Sequence, residues 1–317
     1  MPFHWKVDEC TVYFGRLLLR GWCHHPTQLV AKIEAVFPGV SLALSRIGLP
    51  SPDVATAVAP SAHHARFDDW ITPPAEFLGH EFSLHFTFAD GSTFLGEAAQ
   101  MNAAQGDPFH ACWAHFLEHL QRIPSGAILE IGSRARSAIT QRQHLPQHLE
   151  YLGLDILPGP NVDLVGDAHE LSRLFPERRF AAVFSMAVFE HLAMPWKAAL
   201  EINHVLAPGG LVFTGSNQTW PLHEEPWDFF RFSSHAWRTL FNPATGFEIL
   251  EAACGEPARI YSCRTLTSTT ALPDSIGYLG SASIARKISE TTLSWPVPLA
   301  TAATGTYPAG ELTTAPH

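Results

Sequence analysis

Positive charge is scarce in this chain: 20 Lys and Arg stand against 30 Asp and Glu, a formal net charge of −10 over 317 residues. A nucleic-acid groove needs a basic stripe to displace counterions from phosphates, so nucleic acid is not an expected partner. A small-molecule or glycan substrate fits better. Cysteine is also sparse. The five cysteines, at 10, 23, 112, 254 and 263, show neither CxxC pairing nor finger spacing, which argues against a disulfide scaffold and a zinc module. No apolar run approaches the roughly 18 residues of a membrane span. Residues 1–20 include Lys6, Asp8 and Glu9 and lack the apolar core of a secretory leader, so a cytoplasmic location is the default expectation.

The length suits two domains on the usual prior of roughly 100–200 residues each. Residues 1–100 read as a small β-sandwich, because their apolar residues alternate. Phe82, Leu84, Phe86 and Phe88 alternate with Ser83, His85 and Thr87, and Asp90-Gly91 supplies a turn into Thr93-Phe94-Leu95. Leu29, Ala31, Ile33, Ala35 and Phe37 repeat the alternation. Over 101–126 the period becomes helical: Phe109, Trp113, Phe116, Leu117 and Leu120 recur at three- and four-residue steps, giving a linking helix. Strands and helices then alternate over 127–268, the signature of a mostly parallel sheet covered on both faces. Residues 269–317 read as an extension, and from about 296 the Thr, Ala, Pro and Gly content predicts a disordered tail.

The most informative stretch is Ala127-Ile128-Leu129-Glu130-Ile131-Gly132-Ser133. Its apolar burst is that of a strand buried on both faces, and Gly132 permits a tight turn where a ligand can approach. Tyr151-Leu152-Gly153-Leu154-Asp155 and Val162–Asp167 supply two more strands, each ending in a carboxylate. Ala181–Ser185, Leu211–Gly215 and Phe247–Glu251 read as further strands, with helices over Pro195–Leu206 and from Ser233 or Ser234 to Phe241.

In this order the pieces resemble class I S-adenosylmethionine-dependent methyltransferases over about residues 105–268. The matching motifs are Leu129–Gly132, Gly153-Leu154-Asp155, Gly166-Asp167-Ala168, Phe184–His191 with its Glu-His pair, and Val205–Gly210. One departure stands out. Where the family's first loop is glycine-rich, Ser133-Arg134-Ala135-Arg136 follow Gly132, which also leaves no G-x-G-x-x-G to seat a dinucleotide pyrophosphate. The resemblance implies a Rossmann-like α/β sheet, S-adenosylmethionine as cofactor, and a methyl-transferring enzyme. The alternative is a binding or scaffolding protein that keeps this fold without turnover.

Applied to these positions, the resemblance implies a cofactor set of Glu130, Gly132, Ser133, Asp155, Ile156, Asp167, Ala168, His169, Ser185 and Met186. Asp155 would accept both ribose hydroxyls. Asp167 would accept the adenine amine with Ala168 and His169 nearby, Glu130 would order the loop by the methionine ammonium, and the backbone at Ser185 and Met186 would pair with the same moiety. The competing reading of the acids is helix capping.

An acceptor site is expected at the mouth of the sheet. His191 follows the fourth strand, where an imidazole could accept a hydroxyl proton or simply pack the loop. Trp220–Phe232 should overhang the mouth, with His223, Asp228 and Arg231 as candidate catalytic groups and Trp227, Phe229 and Phe232 as packing residues. Its Pro226–Ser233 stretch resembles an element of methyltransferases from polysaccharide and natural-product pathways, which names no substrate; O-methylation of a sugar or related polar molecule is expected instead from the lid's mix of Trp and Phe faces with His223, Asp228 and Arg231. His115/His119 and His144/His148 stand at the spacing of a two-histidine metal face, but no third ligand is recognisable and no metal is expected. Arg20-Gly21-Trp22-Cys23 resembles "GWA"-type sandwich modules of glycan-pathway enzymes, which implies substrate presentation, partner docking or a homo-oligomer interface; a strand-ending glycine and a core tryptophan is the plainer reading.

Overall fold

In the computed structural model, which describes residues 3–13, 15–103, 106–136, 140–263, 266–269, 272, 276–303, 305 and 307, the chain divides into two units, Met1–Gln105 and Gly106–His317. The first unit contains β1 (His4–Tyr13), β2 (Arg16–His24), β3 (Val30–Phe37), β4 (Val40–Ala43), helix α1 (Pro52–Ala57), β5 (Arg66–Ile71), β6 (Glu81–Phe88), β7 (Thr93–Gln100) and β8 (Asn102–Ala103). These form two four-stranded sheets ordered β5-β2-β1-β8 and β4-β3-β6-β7, antiparallel except for the short β1·β8 pair. Leu17 and Leu19 from one sheet and Ile33, Ala35, Phe82, Leu84 and Phe86 from the other share one apolar core.

The β6–β7 hairpin turns at Asp90-Gly91, with Gly91 at φ +85°. Two expected inward residues, Leu29 and Ala31, face out. The pairing of β3 with β6 slips between Val30 and Lys32, so Val30 packs on the core while Leu29 is 70% exposed. A bulge adds a residue and reverses the alternation, which sequence periodicity alone does not reveal. Gly21 sits where a Cβ would come within 2.2 Å of the Lys6 carbonyl, and Trp22 packs against Val54, Ala62 and Ala65. Backbone approach and packing thus account for both residues.

The second unit contains α2 (Pro108–Gln121), β9 (Ala127–Ile131), β10 (Glu150–Asp155), β11 (Leu164–Val165), α3 (Leu171–Leu174), β12 (Phe180–Met186), α4 (Pro195–Val205), β13 (Leu206–Asn217), α5 (Ser234–Leu240), β14 (Phe247–Ala258), β15 (Gly277–Lys287) and α6 (Leu299–Ala302). Its seven strands run β11-β10-β9-β12-β13-β15-β14, parallel from β11 to β13 and antiparallel at β15. All of β9 is buried, as its apolar burst requires. Asp107 caps α2 by accepting from the amides of Phe109 at 2.9 Å and His110 at 3.3 Å. Phe116 and Leu120 of α2 share a core with Ile128, Phe184, Phe213 and Ile284, so this helix forms one layer of the second unit. Helices α4 and α5 cover the other face through Ala198, Ile202 and Trp237.

Strand β15 lies inside the segment read as an extension. Its Gly280-Ser281-Ala282-Ser283 run carries no strong apolar signal, yet these residues are buried between β13 and β14. The hydroxyls are partnered: Trp237 donates to Ser281 Oγ at 2.9 Å, and Ser283 Oγ lies 2.9 Å from Thr214 Oγ1. Small, satisfied side chains let polar residues fill a tight layer. The third parallel strand is only Leu164–Val165, shorter than expected. Residues 296–303, within the stretch expected to be disordered, are described, and Lys197 donates to the Val297 carbonyl at 3.0 Å; most of the remaining tail lies outside the described residues. No helix among the described residues is long and apolar enough to cross a membrane.

Candidate functional site

The chain reverses direction across the sheet between β9 and β12: β10 and β11 extend to one side of β9, β12 and β13 to the other. Ligands of open α/β sheets bind beyond the strand ends at such a switch point. A cavity of about 780 Å³ lies here, lined by residues that follow β9, β10, β11 and β12. Its size is in the range of small-molecule sites.

Of the sequence-derived cofactor set, Glu130, Gly132, Ser133, Asp155, Ile156, Asp167, Ala168, His169 and Met186 line this cavity. Ser185 does not; it is buried in β12 at 1% exposure. Gly132 adopts φ +81°, and a Cβ there would come within 2.0 Å of Val188 Cγ2, so only glycine turns the chain this closely. Three non-glycine residues with positive φ, Asn161, Ala187 and Glu224, also line the cavity. Such backbone persists where surrounding structure over-determines it, and it clusters at functional sites.

Asp155 closes β10 with its carboxylate among backbone amides. It accepts from Leu157 N at 2.9 Å and Arg134 N at 3.1 Å, tying the loop after β9 to the end of β10. Each oxygen keeps acceptor capacity for a diol. Asp167 caps the short turn after β11, accepting from the amide of His169 at 2.9 Å and from its Nδ1 at 2.7 Å through one oxygen. Burial alone would raise its carboxyl, but the His169 bonds outweigh burial and hold it below the ordinary value. His169 spends its other nitrogen on the Met194 amide at 3.3 Å, so both ring nitrogens serve the fold.

Glu130 is 7% exposed and accepts from the Tyr151 hydroxyl and from Asn161 Nδ2. Burial pushes its carboxyl up to about 7 against these two bonds. The folded protein therefore keeps a proton that the unfolded chain, at the ordinary 4.5, has released. This contribution to stability is complete below the unfolded value and is lost as pH rises through the folded one. The fall in Tm between about pH 5 and about pH 8 should accordingly be smaller in Glu130→Gln than in the parent. Equal falls in both proteins would assign the titration to another group.

At the mouth, His191 and His223 line the cavity with Trp220, Glu224, Trp227 and Tyr307. The His191 and His223 rings lie 4.8 Å apart, and Tyr307 lies 5.7 Å from His191 and 6.0 Å from Trp227. His191 Nδ1 is 2.6 Å from the Trp227 carbonyl, which can only accept, so Nδ1 carries the proton and Nε2 keeps its lone pair. Burial keeps His191 below the ordinary imidazole value, against the pull of Glu190 and the Trp227 carbonyl.

Asp228 and Arg231, expected among the catalytic groups, do not line the cavity. Arg231 donates to Asp228 at 2.6 and 2.8 Å and to the carbonyls of Trp220, Pro221 and Phe230, pinning the overhanging loop. The Arg231 bonds hold the Asp228 carboxyl down at about 2. Asp228 in turn accepts from His223 N at 2.9 Å and stands 3.2 Å from His223 Nδ1. Both residues thus contact His223 or its loop. Of the expected packing residues, Trp227 and Phe232 are buried, whereas Phe229 is 38% exposed, its amide donating to the Glu190 carbonyl at 2.8 Å.

Sequence reasoning missed Arg134, Arg136, Asn161, Glu224 and Tyr307. Glu224 pairs with Arg136 and accepts from the Tyr307 hydroxyl, joining three segments distant in sequence. No local pattern announces that meeting. The histidine pairs at 115/119 and 144/148 serve other ends: His115 bonds Glu251 at 2.8 Å and His148 bonds the Ile123 carbonyl at 2.8 Å.

Residues 129–214 match the family model described as a methyltransferase domain. No curated protein matches the chain. Similar solved structures include an S-adenosylmethionine-dependent methyltransferase from Archaeoglobus fulgidus, 15% identical with a TM-score of 0.41 over 56% of this chain and 92% of that one. Another is 1,6-didemethyltoxoflavin-N1-methyltransferase from Burkholderia thailandensis, 15% identical with a TM-score of 0.42 over 57% of this chain and 79% of that one. Family match, sheet order and strand-end cavity agree: the C-terminal part of this chain is a class I S-adenosylmethionine-dependent methyltransferase domain.

Proposed function

We propose that the enzyme methylates a hydroxyl oxygen of a sugar or related polar small molecule. The observation that carries this reading is a single cavity combining the strand-end acids Asp155 and Asp167 with two adjacent imidazoles among aromatic rings. Asp155 suits the ribose of the cofactor, Asp167 the adenine amine, and Glu130 with Gly132 the methionine end. S-adenosylmethionine, when bound, supplies a methyl group on a positively charged sulfur. The chain's own residues then have three tasks.

Trp220, Trp227 and Tyr307 offer apolar faces on which a sugar ring can rest while the site excludes water. His191 and His223 stand where a hydroxyl must shed its proton, and His191 keeps a neutral Nε2 for that purpose. Asp228 and Arg231 hold His223 and its loop in position. The acidic balance of the chain disfavours a polyanionic acceptor.

Measuring S-adenosylhomocysteine release over nucleotide sugars, free saccharides, small phenols and peptides tests the acceptor class. Turnover is expected with a hydroxyl-bearing saccharide or nucleotide sugar. Methylation confined to peptides would overturn the acceptor class while leaving the enzyme class intact.

A further inference from the structure

We propose that the buried Glu190, which does not itself line the cavity, and the cavity-lining His191 and His223 bind one divalent transition-metal cation, of the Zn²⁺ or Mn²⁺ class, at the acceptor side. Each offers a ligand atom, and these atoms lie within 4.8 Å of one another. Bonds of about 2.0–2.2 Å to such an ion put adjacent ligand atoms roughly 3–3.5 Å apart. A modest convergence completes the set, and His223, the 30% exposed member on the lid, has the most room to make it. Two imidazoles and one carboxylate suit Zn²⁺, Fe²⁺ or Mn²⁺ better than Mg²⁺, which prefers oxygen ligands.

What distinguishes this trio from a chance cluster is how each member is held. A metal-binding histidine commonly donates its second ring N–H to a carbonyl or carboxylate, which fixes the tautomer and frees the other nitrogen. His191 gives Nδ1–H to the Trp227 carbonyl at 2.6 Å. His223 has its Nδ1 3.2 Å from Asp228, whose carboxylate is locked by Arg231. Both Nε2 atoms are thereby left as lone-pair donors. Glu190 is fully buried and oriented by Ser216 Oγ at 2.7 Å and Asn217 Nδ2 at 2.9 Å, one bond to each oxygen, so acceptor capacity remains on both. A buried carboxylate facing two oriented imidazoles is costly unless a cation or donor offsets it.

That the ion serves the acceptor rests on the hydroxyl-methylation reading; the site itself does not. Three protein ligands leave coordination positions for an acceptor oxygen, and vicinal hydroxyls of a sugar could occupy two. Coordination lowers the pKa of a hydroxyl, so its proton leaves to solvent. The oxygen's electron pair then forms the new C–O bond as the methyl group's bond to sulfur breaks and that pair stays on sulfur. With both Nε2 lone pairs on the ion, His191 and His223 promote loss of the proton as ligands, and this role takes the place of direct proton acceptance by His191.

The test uses the full chain stripped with EDTA and titrated calorimetrically with ZnCl₂ and with MnCl₂, elemental analysis giving the stoichiometry. The parent is expected to take up one ion that His223→Ala binds at least tenfold more weakly while still binding S-adenosylhomocysteine, which shows the variant folded. Asp228→Asn should weaken the ion about 10–100-fold through the loosened hold on His223. Failure of the parent to bind either ion, or equal uptake by parent and His223→Ala, overturns the site. Full turnover on a sugar by the stripped enzyme overturns the ion's role but keeps the acceptor reading. Tight ion binding with no hydroxyl acceptor methylated refutes the acceptor reading and keeps the site.

Discussion

Replacing His191 with Gln or His223 with Ala is expected to lower turnover by about 10²–10⁴-fold, the range for loss of a group that manages a proton in the transition state. Affinity for the cofactor should stay close to the parent's, because neither ring is in the cofactor set proposed around Asp155, Asp167 and the Glu130–Gly132 turn. Methyl transfer from a sulfonium otherwise depends on alignment and desolvation, which the aromatic walls retain in these variants. Single-turnover rates with cofactor pre-bound separate the two effects. Near-parental rates in both variants would mean that alignment alone carries the reaction and that neither histidine is catalytic.

Asp155→Ala is expected to weaken S-adenosylmethionine binding by about 1–3 kcal/mol, the scale for losing a charged hydrogen-bond acceptor. The Ala variant also frees the Arg134 and Leu157 amides, so part of its loss would come from the loop after β9. Asp155→Asn separates these causes. Its one remaining acceptor can keep an amide while the second hydroxyl contact goes, so it should bind more weakly than the parent and more tightly than Ala. Circular dichroism should report an unchanged fold for both. Parental affinity in Asp155→Ala would make the residue a loop cap only.

The architecture of the second unit was legible because its parallel strands are buried on both faces. Ile128, Leu129 and Ile131 have no choice of side, so a short apolar burst identifies the strand without periodicity. The carboxylate ends were legible for a related reason: Asp155 ends β10 and Asp167 stands two residues past β11, where exposed amides gather. Strand β15 was not, because its buried positions carry Gly, Ser and Ala whose place depends on partners in β13 and α5. Leu29 misled through a bulge, a one-residue event invisible to alternation. At the mouth, residue types were readable and geometry was not. The sequence marked His223, Asp228 and Arg231 as one polar group; only the fold separates the imidazole on the cavity from the ion pair beneath it. Tyr307 and Glu224 meet across a separation of 83 residues, and no spacing encodes that contact.

Calorimetric titration of the intact protein with S-adenosylmethionine, with S-adenosylhomocysteine as a second ligand, tests the central claim most directly. One ligand per chain should bind, with a rise in Tm that grows with ligand concentration as linkage requires. Absence of a binding isotherm for either ligand, together with an unmoved Tm, would contradict the assignment of this cavity to the cofactor.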